Sequence, residues 1–270
     1  MAVKVQSSAV PSSITSPAER VALILPLLGG AVFGILPFLL GGAFGSVLGY
    51  PGNDGFAYRL AGAATFGYAV ALVMGLRQDN WAPLRLVVIA TLTFNVASLY
   101  ACLVAIAAGS ANVMVYLIFG TSIAITAITL WVLNSHKDLP TPAPDLSKML
   151  IRGLGLGTVL SGAFGLMGLF VPVLVAQLFG FKGTDTFLYR QAGAASLGYA
   201  VMAIYAVRSG AWVEVRLPYV MALVFNAFAL VGSVIALASG DPPLLVVVIG
   251  LVSLLVTIGT FTVLQRNGKM

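Results

Sequence analysis

The chain has 270 residues, of which 60% are hydrophobic and only 8% charged, with a mean hydropathy of +1.04. A soluble domain needs several times more surface charge to stay solvated, so that class is excluded. The net charge of +6 would suit a polyanion, but no basic patch interleaved with aromatic residues occurs, which excludes nucleic acid as a partner.

Residues 1–20, rich in Ser and Pro, read as a disordered cytoplasmic tail. Beyond them, a bilayer core of about 30 Å needs roughly 20 apolar residues per helical crossing. Eight stretches meet this requirement, near 21–48, 55–76, 86–107, 113–133, 152–179, 186–207, 217–238 and 244–264. They are continuously apolar, whereas a β-barrel would show alternating segments of about ten residues. The predicted fold is therefore an all-α polytopic membrane protein with eight transmembrane helices. The run after Arg20 is too long for a signal-peptide core, so span 1 is expected to be retained. Residues 134–151 form a linker in which Pro140, Pro142 and Pro144 impose an extended path, and 265–270 form a short tail.

The chain repeats itself at an offset of 131 residues: the segment from Tyr58 to Val70 returns from Tyr189 to Val201, and the match runs without a gap from Gly49 with Gly180 to Gly109 with Gly240. Residues 21–133 and 152–264 are thus two tandem four-helix units. An even span count puts both in the same orientation, related by a pseudo-two-fold axis along the membrane normal. Pro37 and Pro172, which the offset does not align, are expected to tilt or kink the long spans 1 and 5.

With eight spans both termini share a side, and that side carries eleven of the fourteen basic residues. By the positive-inside rule it is the cytoplasmic side of a plasma membrane.

The motif D-x-F-x-Y-R opens spans 2 and 6 with Asp54, Tyr58 and Arg59, then Asp185, Tyr189 and Arg190. The aspartates suit helix N-caps. Each arginine falls roughly 7 Å inside its span, where a charge costs up to about 2.5 to 3.5 kcal/mol at the centre and requires compensation. Either Arg59 and Arg190 snorkel or pair with Asp54 and Asp185 and lock the halves together, or they converge on an anion, a carboxylate or a lipid head group. Small residues follow in both spans and favour close helix approach. Tyr68 and Tyr199, with Asn95 and Asn226 at similar depth, form a candidate intramembrane polar layer, with a tyrosine to asparagine bond expected inside each unit. On the cytoplasmic side R-x3-W-x3-R occurs twice, as Arg77, Trp81, Arg85 and Arg208, Trp212, Arg216, and suits anchoring at the head groups.

Cys102 is read as packing, and the single histidine, His136, lies in the linker, so no metal or haem centre and no cofactor is expected. Every carboxylate maps to a loop or span end, and no phosphate loop, HExxH or GxSxG motif occurs. A four-span unit with an arginine entering an Ala/Gly-rich second span resembles small bacterial four-helix membrane families of the DoxX-like kind, a likeness that carries no residue role. The expected function is non-catalytic: a structural or accessory subunit of a membrane complex, partnered by other subunits or by itself within the lipid bilayer. The alternatives are a passive transporter or pore for a small, including anionic, solute, and a lipid-modifying membrane enzyme.

Overall fold

The computed structural model describes residues 16–50, 54–78, 80–180, 185–240 and 244–267. Within them all regular structure is helical, with no strand: α1 Pro17–Leu40, α2 Gly42–Val47, α3 Gly55–Leu76, α4 Trp81–Ala107, α5 Val113–Ser135, α6 Lys148–Phe170, α7 Pro172–Phe179, α8 Thr186–Ser209, α9 Trp212–Ala238 and α10 Leu244–Asn267. Seven of these, α1, α3, α4, α5, α6, α9 and α10, are long and apolar enough to cross a membrane. The eighth expected span, α8, has the length at 24 residues but carries Arg190, Gln191 and Arg208. It lies among α3, α4, α6 and α9, so protein rather than lipid sets the polarity it tolerates.

Side chains start several helices. Ser16 and Glu19 form a reciprocal capping box on α1, with bonds of 3.2 and 2.8 Å. Asn80 caps α4 at 3.0 Å and Asn112 caps α5 at 3.2 Å. The helix starts also recur: Pro17 and Lys148, Gly55 and Thr186, Trp81 and Trp212, and Val113 and Leu244 are each 131 residues apart. α1 begins inside the segment expected as tail; residues 1–15 and 268–270 lie outside the described residues.

The expected long spans 1 and 5 are each broken in two, α1 with α2 and α6 with α7. Pro37 stays inside α1, and the chain turns at Gly41, whose φ of +55° favours glycine and whose N–H donates to the Pro37 carbonyl at 2.9 Å. In the second half the Val171 N–H donates to Met167 at 2.9 Å, and Pro172 opens α7. The breaks therefore fall at equivalent places although different residues make them.

The packing crosses the halves. α1 lies on α3 and α6 on α8, but α4 packs more extensively on α8 than on α3, and α9 more extensively on α3 than on α8. α5 then covers α4, and α10 covers α9. The core is thus an interlocked set of α3, α4, α8 and α9, filled by Leu72, Leu84, Leu86, Leu217 and Met221, all essentially inaccessible. Outward positions such as Leu39, Leu117, Leu160 and Leu255 are exposed, as lipid contact permits. The halves differ at their rims. α1 touches α5, whereas no comparable packing joins α6 and α10 among the described residues.

The linker is held to the α8–α9 turn. The Asp145 and Leu146 N–H groups both donate to the Gly210 carbonyl at 2.9 Å, and the Trp212 N–H donates to Asp145 Oδ1 at 2.6 Å.

Candidate functional site

Four groups of polar residues stand out, at mid-helix, at the two ends of the bundle and in a cavity. At mid-helix α3 and α8 meet through a reciprocal exchange. The Tyr68 hydroxyl donates to the Ala195 carbonyl at 2.8 Å, and the Tyr199 hydroxyl donates to Ala64 at 3.0 Å. The two rings meet edge to face at 5.1 Å. Each phenol fits because the opposite helix has a glycine there. A Cβ at Gly198 would collide with the Tyr68 hydroxyl, and one at Gly67 with the Tyr199 hydroxyl. The expected bonds to asparagine are not made: Asn95 Nδ2 donates to Thr91 and Asn226 Nδ2 to Ala222, each at 2.8 Å within its own helix. Matching depth placed tyrosine and asparagine together in the sequence reading, but the nearer acceptors are backbone carbonyls exposed by small residues.

At one end, Asp54 and Asp185 tie the starts of α3 and α8 to each other. The Asp54 N–H donates to Asp185 Oδ2 at 2.9 Å, and the Tyr189 hydroxyl donates to Asp54 Oδ2 at 2.9 Å. Asp54 also caps its own helix through the Ala57 N–H at 3.1 Å, whereas Asp185 makes no cap bond to α8. Burial pushes the Asp54 carboxyl above its ordinary value; its hydrogen bonds oppose this and the nearby Asp185 adds to it. Burial and Asp185 push the Tyr50 phenol up to about 12, against the amides of Phe187 and Leu188. Neither arginine hydrogen-bonds an aspartate of this cluster among the described residues, although the Arg190 charge opposes the rise at Tyr50. Arg59 Nη1 donates to the Gly55 carbonyl at 3.2 Å, and its guanidinium lies over Gly41 at the α1–α2 break. Arg59 Nε and Arg190 Nε are buried without a hydrogen bond among the described residues. The expected Arg–Asp pairs are therefore replaced by Asp–backbone and Tyr–Asp bonds.

At the other end, the two final arginines of the R-x3-W-x3-R motifs reach across the halves. Arg85 pairs with Glu214 at 3.1 Å, the glutamate being 1% exposed, and Arg216 Nη2 donates to Gln78 Oε1. Trp81 is buried and stacks on His136 at 4.3 Å, and His136 Nε2 lies 3.1 Å from Glu19 Oε2. Trp212 packs against Tyr219 at 5.8 Å. Arg77 and Arg208 are exposed, the latter over the Tyr205 ring. The motif thus contributes part-buried cross-half contacts at its third position as well as outward charge at its first.

A cavity of about 100 Å³ lies among the helices of the first half, bounded by α1 to α5 and closed by α8 of the second half. Its walls include Tyr58, Tyr68 and Asn95 of the expected residues but neither arginine. It also includes Ser98, Ser122 and Gln191, which the sequence reading did not single out: Ser98 donates to Gln191 Oε1 at 2.7 Å, and Ser122 donates to Ser98 at 3.3 Å. Two signals for them exist in the chain. Thr91, Asn95 and Ser98 follow the helical spacing of one face, and Gln191 stands opposite Leu60 in the repeated motif. No family model matches this chain, and no curated protein or solved structure does either.

Proposed function

We propose that the chain is a non-catalytic integral membrane subunit, built of two duplicated four-span halves with both termini on the cytoplasmic side, whose second half receives a helix from a partner. The observation that carries this reading is the unequal closure of the halves. α1 meets α5 and shuts the first half, while α6 and α10 have no comparable contact among the described residues. Asn95 is accordingly buried, but Asn226, its counterpart 131 residues on, is partly exposed. An amide in the apolar part of a span gains from a hydrogen-bonding neighbour helix. The recurrence of helix starts supports the duplication, and α8 serves as the eighth span because its neighbours shield its polar groups. The basic bias of the linker side supports the orientation.

A pore along the interface of the halves has less support, since Tyr68 and Tyr199 fill the α3–α8 contact. An anionic solute has none from the cavity, which no arginine lines.

Native mass spectrometry of the protein extracted in nanodiscs tests the subunit reading. A stoichiometric partner, or a second copy, that is lost in Asn226→Leu is the expected result. A lone chain in every preparation, with Asn226→Leu indistinguishable from the parent, would overturn it.

A further inference from the structure

We propose that the first-half cavity is a binding site for a small, uncharged, ring-sized amphiphile that carries a hydroxyl, of the phenol class. The site is independent of whatever covers α6 and α10. Its volume of about 100 Å³ is on the scale of protein cavities that hold a single aromatic ring. Phe33, Phe44, Phe94 and Phe187 contribute to the walls and offer edge and face contacts to such a ring. No Asp, Glu, Lys, Arg or His lines it, so a charged ligand would lose its hydration without a counter-charge.

The hydrogen-bonding capacity of the walls is mostly taken up, and the remainder defines the ligand. Thr65, Thr91 and Tyr68 donate to backbone carbonyls, and Ser98 and Ser122 are engaged in the chain that ends on Gln191. The Asn95 amide oxygen stands out. Asn95 commits its Nδ2 to Thr91, while its Oδ1 accepts no hydrogen bond among the described residues. The Tyr58 hydroxyl also has no partner among them, but it is enclosed against Gly45 and closes the wall rather than opening into the cavity. Asn95 sits midway along α4, on the wall of the same space that the phenylalanines bound. The ligand hydroxyl donates to Asn95 Oδ1, and its ring lies among the phenylalanines. A site with an unfilled acceptor discriminates strongly against an isostere that lacks the donor, because occupancy would then leave the acceptor dry and unpaired.

The test compares 4-fluorophenol with 4-fluorotoluene by fluorine NMR titration of the full chain in nanodiscs, with empty nanodiscs as the partition baseline. Saturable binding of the phenol at least about tenfold tighter than of the toluene is expected, with the preference lost in Asn95→Leu. A bulky Ser122→Phe should abolish binding of both. The comparison of the two probes on the parent protein, with 4-fluorophenol competed off by unlabelled phenol, keeps the test decisive if Asn95→Leu does not fold. No saturable binding by the parent protein would overturn the proposal, as would equal affinity for the two probes. A preference unchanged in Asn95→Leu would overturn it as well.

Discussion

Tyr68 and Tyr199 each donate a phenol to the backbone of the other's helix, into the space left by Gly198 and Gly67 respectively. The four residues act as one device, because each hydroxyl can reach its carbonyl only while the facing residue has no side chain. Hydrogen bonds between membrane helices average about 0.6 kcal/mol, with a maximum near 1.7, whereas an added methyl in a tight contact typically costs about 1–3 kcal/mol. Gly198→Ala should therefore lower thermal stability in detergent more than Tyr68→Phe does. It should also cost less in a Tyr68→Phe background, where the colliding hydroxyl is gone. Strictly additive effects in that double-mutant cycle would refute the device.

The Arg85–Glu214 pair joins α4 to α9 with one partner fully enclosed. Removing a single member of a buried pair costs about 3–5 kcal/mol, while replacing both by apolar residues can be neutral. Glu214→Ala is expected at the lower end, about 3 kcal/mol, because Arg85 keeps some access to water. Arg85→Met/Glu214→Met should recover most of the loss in the same melting experiment.

Acidification should stabilise the Asp54 end. Burial holds its carboxyl above the ordinary value, so the folded state binds the proton more tightly than the unfolded one. The resulting stability is fully present below the unfolded value, near 4, and is lost as pH rises through the folded value. Melting temperatures of the parent should rise from pH 7 toward pH 4 relative to Asp54→Asn. Parallel curves for the two would contradict the assignment.

Asp145 provides a cap from the linker, accepting from the Trp212 N–H at 2.6 Å. Its replacement by Ala should cost about 1 kcal/mol, the usual value for a lost cap, and free the linker from the α8–α9 turn. Limited proteolysis between residues 136 and 147 should become faster in Asp145→Ala, while cleavage elsewhere is unchanged.

The all-helical, membrane-spanning character was legible in the sequence because apolar length acts locally, and the 131-residue offset anticipates where helices start. The starts of α3 and α8, and of α4 and α9, keep that offset. Choice of neighbour was not legible. Asn95 and Tyr68 lie at comparable depth, yet depth does not say which helix stands alongside, and α4 turns to α8 rather than supplying a bond to Tyr68. The arginines misled for a related reason. Opposite charges five residues apart suggested a pair, but Asp54 is occupied by its cap and by Tyr189, so Arg59 turns to the break at Gly41. The unequal rims were equally hidden, since a repeat predicts likeness. α1 contains Pro26 and Pro37, both on the cavity wall, where α6 has no proline; a bend is available to one and not to the other.

The crossing of α4 onto α8 has a consequence for synthesis. When α4 leaves the ribosome its main packing surface does not yet exist, because α8 ends about 100 residues later. At roughly 5–20 residues per second, the first half waits about 5–20 s in the bilayer with one face of α4 uncovered. A truncated message ending in the linker would leave that face permanently bare, a substrate for membrane quality control.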